Sequence, residues 1–222
     1  MDLGQLVLAI VPIVVGYLIG GIPFGIIVAR AVGGPDPRTL GSGRTGGANV
    51  ARALGPRLAL LAGLLDAAKG AVSVLFALFL TSEPLVAVLA ALAAIIGHSR
   101  SPYIGLRGGR GVAPAWGALL VIQPVVALVC LPVFAAIVYL TRISSLASLA
   151  TSLVAGVGLA IAVFALDMPQ AYLVYAVAGT IVVWLFHIDN IQRLVAGEER
   201  RVDWRRGDAT AANGRQPPDP GG

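Results

Sequence analysis

The sequence predicts an all-α polytopic membrane protein with about seven transmembrane helices. Three observations carry that reading. Charged residues make up 12% of the 222 residues, about half the quarter usual in a soluble domain. The apolar residues fall in long runs, and about 20 helical residues suffice to cross the hydrocarbon core. The basic residues then cluster in alternate connections between those runs, as the positive-inside rule requires.

The runs can be taken in order. Leu3 to Ala29 carries no charge, and the acidic Asp2 before it gives no basic flank. It therefore reads as a retained span rather than a cleaved signal peptide. Leu58 to Leu80 is apolar apart from Asp66 and Lys69, and Pro84 to Gly97 is short. Val112 to Leu140 is free of charge and broken by Pro114, Pro124 and Pro132. Ile143 to Leu166 and Ala171 to Phe186 complete the set, with Asp167 to Gln170 as the turn between them.

Sidedness decides how the 112–140 run is counted. Arg30 to Arg57, Arg100 to Arg110, Arg142 and Arg193 onward hold the arginines, while Asp2, Glu83 and Asp167 mark the remaining connections. A single crossing by 112–140 would put Arg142 and the Arg-rich tail outside. A hairpin bent at Gln123-Pro124, with short arms 112–123 and 125–140, puts every Arg loop inside, and the residue before a proline is biased out of the helical region. The expected topology is N-terminus out and C-terminus in; a re-entrant pair that never fully crosses is its variant. Residues 1–202 form one membrane-integral domain, and 203–222, rich in Gly, Pro, Arg and Asp, form a disordered cytoplasmic tail.

Composition also excludes functions. A net charge of +5 would ordinarily raise nucleic acid as a partner, but little water-exposed surface remains to bind it. The single cysteine, Cys130, allows no disulfide framework, and two histidines do not suffice for a His-rich zinc site, so no metal and no cofactor are expected. No nucleophilic triad is visible. Of 16 basic residues, all but Lys69 are arginine.

The polar residues gather in three of the Arg-bearing connections. The first runs Gly41-Ser42-Gly43-Arg44-Thr45-Gly46-Gly47-Ala48-Asn49-Val50-Ala51-Arg52. Its glycines let backbone N–H groups approach an anion, a helix beginning near Ala48 favours phosphate, and Arg52 adds a fork of donors. A flexible interhelical loop is the plain alternative. The second places His98 and Ser99 before Leu106-Arg107-Gly108-Gly109-Arg110-Gly111-Val112; it reads as an anion site at a helix mouth or as a basic flank on lipid headgroups. The third is His187-Ile188-Asp189-Asn190-Ile191-Gln192-Arg193, followed by Gly197 and Glu199. Helical spacing puts His187, Asn190 and Arg193 near one face. An amphipathic juxtamembrane helix is the alternative there. Asp66 and Lys69, at i and i+3 inside a span, are either functional or a self-neutralising pair.

Together these segments resemble the bacterial PlsY family, the acyl-phosphate:glycerol-3-phosphate acyltransferases. The resemblance runs from about Gly16 to Val202. It rests on Gly41-Ser42-Gly43 leading to Gly46-Gly47-Ala48-Asn49-x-x-Arg52, with Gly47 where the family has alanine, on Asp66-x-x-Lys69-Gly70, on Gly97-His98 with Gly108-Gly109-Arg110-Gly111-Val112-Ala113, and on His187-x-x-Asn190-Ile191-x-Arg193-Leu194-x-x-Gly197-x-Glu199. Arg107 and Arg110 stand where the family has lysine, Pro114 where it has threonine, and Arg44 where it has asparagine.

The resemblance implies transfer of an acyl chain from acyl phosphate to the sn-1 hydroxyl of glycerol 3-phosphate, giving lysophosphatidate. It implies that Ser42, Arg52, His187 and Asn190 act on substrate. It implies phosphate binding by Gly41, Gly43, Thr45, Gly46, Asn49, Arg107, Gly108, Gly109, Arg110 and Gly111. Asp66, Lys69, His98, Arg193 and Glu199 would support the site. The expected partners are acyl phosphate, glycerol 3-phosphate, membrane lipid and the soluble enzyme that makes acyl phosphate. The expected place is the bacterial inner membrane, with the active site at its cytoplasmic face. The alternatives are an acyltransferase with another phosphorylated acceptor and a transporter of phosphorylated solutes.

Overall fold

The computed structural model describes residues 3–202; the tail expected over 203–222 lies outside the described residues. Among these, every regular element is helical. α1 (Leu3–Gly21) and α2 (Phe24–Ala31) form one apolar run interrupted at Ile22-Pro23, where proline limits the residue before it. α3 (Gly47–Leu54) closes the first polar connection and leads through Gly55 into α4 (Pro56–Thr81). α5 (Pro84–Ser99), α6 (Val112–Ile122), α7 (Pro124–Thr141), α8 (Ser144–Ala165), α9 (Ala171–Leu185) and α10 (Ile188–Val195) follow. Proline opens α4, α5 and α7, at a position whose N–H has no intrahelical partner anyway.

Leu3–Ala31, Pro56–Thr81, Pro84–Ile104, Pro124–Thr141 and Ser144–Ala165 are each long and apolar enough to cross a bilayer. α9 joins α10 across a 66° bend. The expected break in the 112–140 run is present: Gln123 alone separates α6 from α7, and its Oε1 accepts a hydrogen bond from Val125 N at 3.3 Å. The 11 residues of α6 rise only about 16 Å, roughly half the hydrocarbon thickness. The chain is a multi-pass membrane protein.

Small residues set the closest helix contacts. Gly16 and Gly20 of α1 lie on the backbone of Ala90 and Ala94 in α5, and Gly70 of α4 lies on Pro114 of α6 while Gly117 of α6 lies on Ala67. A side chain at any of these positions would overlap the facing backbone. Such close approach drives helix association where lipid removes the hydrophobic incentive. Val74, Val88, Ile95, Leu119, Leu159 and Val163 fill the centre. Phe79 and Leu140, 88% and 78% exposed, face the lipid.

Candidate active site

The first connection is organised by one buried side chain. Asn49, on the first turn of α3, donates from Nδ2 to the carbonyls of Leu40 and Arg44, both at 2.9 Å, and to Ser42 Oγ at 3.0 Å. Its Oδ1 accepts from Arg52 Nη1 at 2.8 Å. Ser42 Oγ thus already accepts a bond and keeps its own O–H to donate. Gly41 lies at φ +53°, and a Cβ there would overlap Asn49 Oδ1, so only glycine fits this approach. Thr45 is buried, while Arg52 is exposed. Of the residues expected on phosphate here, Asn49 spends its amide on the loop itself.

The second connection is similarly self-bonded. Gly108 N donates to Ser99 O at 3.1 Å and Gly109 N to His98 O at 3.0 Å. Those two amides are therefore committed. Gly111, at φ +80°, caps α6, so the free N–H groups of its first turn are those of Val112 and Ala113, Pro114 having none. Arg107 is exposed. Arg110 turns away from solvent, donating to the Phe186 carbonyl at 3.3 Å and to Asp189.

The third connection supplies the acid that joins all three. Asp189 receives Arg110 Nη1 and Nη2 on its two oxygens, each at 3.0 Å. Arg44 Nη2, from the first connection, lies 3.7 Å away, and Arg193 Nη2, one helical turn on, lies 3.6 Å away. Burial opposes the charge on Asp189, yet Arg110, Arg44 and Arg193 outweigh it and hold the carboxyl below the usual carboxylate range. Asp189 was not assigned a role from sequence. The only local signal is its i,i+4 spacing to Arg193.

His187 precedes α10 rather than lying within it, so the expected shared helix face is formed by Asn190 and Arg193, with His187 buried beside them. Its Nδ1 lies 2.8 Å from the Val183 carbonyl. A carbonyl only accepts, so Nδ1 carries the proton and Nε2 presents a lone pair. Burial lowers His187 to about 4, and it is neutral at neutral pH. Asn190 Nδ2 donates to Glu199 Oε1 and Arg193 Nε to Glu199 Oε2, both at 3.1 Å. Asn190 Oδ1 is buried without a hydrogen-bond donor. Partial burial of its guanidinium end and the nearby Arg200 lower Arg52, and Glu199 opposes them.

Beneath this cluster lies a narrow apolar crevice between α6, α7, α8 and α9. Its wall includes Val112, next to Gly111, and Val183, one turn before His187, and continues along Trp116, Cys130, Ala155 and Gly179. Cys130 is part of that wall.

Asp66, Lys69 and His98 form a separate buried group. Lys69 Nζ is 2.7 Å from Asp66 Oδ1.

Three arginines around one carboxylate, beside an apolar crevice among membrane-spanning helices, define the class first: a helical membrane protein with a basic polar site at one end of the bundle. The comparisons make it particular. The family model described as glycerol-3-phosphate acyltransferase matches residues 10–197. A glycerol-3-phosphate acyltransferase of Synechococcus sp. (strain JA-3-3Ab) is 46% identical over 84% of this chain and 90% of its own length. One from Anaeromyxobacter sp. (strain Fw109-5) is 42% identical over 88% and 97%. The crystal structure of PlsY (YgiH), an integral membrane glycerol 3-phosphate acyltransferase, in its glycerol 3-phosphate form, superposes with a TM-score of 0.80. It is 33% identical and covers 89% of this chain and 97% of that one. The chain belongs to the glycerol-3-phosphate acyltransferase family and is an acyltransferase.

Proposed function

We propose that the protein transfers an acyl chain from acyl phosphate to the sn-1 hydroxyl of glycerol 3-phosphate, releasing lysophosphatidate and phosphate. The observation that carries this reading is the junction of the arginine cluster with the crevice at Val112 and Val183. One substrate needs both a phosphate site and a place for its chain, and the other needs a second anion site and a held hydroxyl. The related PlsY structures bear glycerol 3-phosphate in one form and lysophosphatidic acid in the other.

In the proposed reaction the sn-1 oxygen attacks the acyl carbonyl carbon. The C–O bond to phosphate breaks, and phosphate departs with the bonding pair. The hydroxyl proton leaves through a substrate phosphate. His187 Nε2 accepts a hydrogen bond from the acceptor, but a group at about 4 is a poor proton sink at neutral pH. His187 and Asn190 therefore orient glycerol 3-phosphate, while Ser42 O–H, Arg52 and the first-turn amides of α6 bind phosphate oxygens. Acyl phosphate is already activated, so orientation and anion stabilisation carry the catalysis without a covalent enzyme intermediate.

The arginine distribution supports a site at the cytoplasmic face of the bacterial inner membrane, supplied by a soluble enzyme that makes acyl phosphate. Purified protein is expected to release phosphate from acyl phosphate only with glycerol 3-phosphate present, and Arg52→Ala to abolish release. Full activity in that variant removes the site assignment. Arg44 and Arg107, extra cationic planes relative to the family pattern, favour testing a panel of phosphorylated acceptors. A strong preference for one other than glycerol 3-phosphate overturns the acceptor.

A further inference from the structure

Lys69 is the single lysine of the chain and is buried in the membrane span α4, 3% exposed. Its Nζ lies 2.7 Å from Asp66 Oδ1, donates to the Ile22 carbonyl at 2.8 Å and lies 3.1 Å from His98 Nδ1. An ammonium has three N–H groups and no acceptor, so His98 Nδ1, facing it at 3.1 Å, accepts and the ring proton sits on Nε2. Asp66 Oδ1, paired with Lys69 by charge, lies 3.6 Å from the same Nδ1.

The other edge of the same ring meets the second phosphate-binding loop. A Cβ on Gly109 would overlap His98 Nε2, and one on Gly108 would overlap the His98 carbonyl. The His98 and Ser99 carbonyls hold the Gly109 and Gly108 amides. Continuous contact therefore runs from the α1–α2 break through Lys69 and His98 to the glycines before Arg110. A pair that only cancelled its own charge would need neither His98 nor the Ile22 carbonyl.

We propose that Lys69, with Asp66, is a positioning residue for the Gly108–Gly111 loop and acts on it through His98. The ion pair fixes the orientation and tautomer of the ring, and the ring fixes how closely the glycines pack. The amides of the first turn of α6, and Arg110 on Asp189, are thereby held where an acyl phosphate is bound. The proposal rests on the acyl-phosphate reading for its substrate, but not for the loop contact itself.

The test uses the full chain in detergent with D66N/K69M, which removes both charges together and leaves no unpaired ion in the bilayer. The peptide spanning 107–112 is expected to exchange its amide hydrogens about tenfold faster than wild type. KM for acyl phosphate is expected to rise about tenfold, while KM for glycerol 3-phosphate stays within about threefold. In an H98A background, adding D66N/K69M should change neither quantity further, because the link is already cut. Additive effects would mean the pair only pins helices and would overturn the proposal. H98Q leaves the ion pair intact and decides the matter where D66N/K69M does not insert: faster exchange over 107–112 supports the link, and wild-type exchange overturns it. Exchange is read without substrate. A wild type inactive on acyl phosphate would thus remove the proposed function and leave the loop coupling to be judged separately.

Discussion

Arg110 donates two parallel hydrogen bonds to Asp189, Nη1 to Oδ1 and Nη2 to Oδ2, both at 3.0 Å. The two residues are 79 positions apart, so this fork joins the second polar connection to the third. It also gives a reason for arginine at a position where the family pattern has lysine. A lysine supplies a point charge and cannot make the paired geometry.

Arg110→Lys is therefore expected to lower kcat/KM about tenfold although the charge is kept. Asp189→Asn is expected to cost a similar factor. The double variant should be little worse than either single, since both remove one interaction. Phosphate release from acyl phosphate, measured across the four proteins, checks the cycle.

Asn49→Ala removes two amide N–H donors, shared among three acceptors, and the anchor of Arg52 at once. At about 1 kcal/mol for each N–H, the loop loses on the order of 2 kcal/mol of local order, or roughly thirtyfold in the population of its ordered form. The expected outcome is a kcat/KM lower by about that factor in protein that still inserts and purifies as wild type.

His187 gives a pH dependence of stability. Its folded value of about 4 lies below the ordinary 6.5, because burial disfavours the charged ring. As pH falls below 6.5 the unfolded chain takes up the proton first, so stability rises with pH in this window. The contribution is complete above about 6.5 and is lost progressively toward 4. Thermal unfolding in detergent should show a steeper loss of Tm between these values in wild type than in His187→Gln.

The crevice is tested by filling it. A Cβ at Gly179 meets only the Tyr175 ring at ordinary contact distances of 3.7 to 3.8 Å, so a larger side chain there enters the cavity without striking backbone. Gly179→Leu is expected to raise KM for long-chain acyl phosphates several-fold more than for short ones. An equal effect on all lengths would place the chain elsewhere.

Sidedness is tested by reporter fusions. A reporter after Val202 is expected to read as cytoplasmic and one at Asp167 as external. The opposite result at either point overturns the topology drawn from the arginines.

Helices in the membrane were legible because their signal is local. Run length, the prolines at 56, 84 and 124 and the placement of arginine need no knowledge of tertiary contacts. The break at Gln123 was readable for the same reason. The site was legible only in outline. Glycine and arginine spacing makes Gly41 to Arg52 and Arg107 to Gly111 the candidate anion-binding segments, but does not say which amides stay free. The Gly108 and Gly109 amides bond to Ser99 and His98, and Asn49 bonds to its own loop, because tertiary packing brings those acceptors near. Asp189 escaped notice for the same physical reason: its strongest partner is remote in sequence.

The placement of Lys69 also bears on how the chain is made. Asp66 lies on the same helix, and the Ile22 carbonyl belongs to a segment synthesised earlier. Both are present when α4 enters the bilayer, and only His98 arrives afterwards. The lone ammonium thus has two of its three neighbours before α5 exists, so α4 can be delivered to lipid without stranding a bare cation there. The order of synthesis is also the order in which that charge is satisfied.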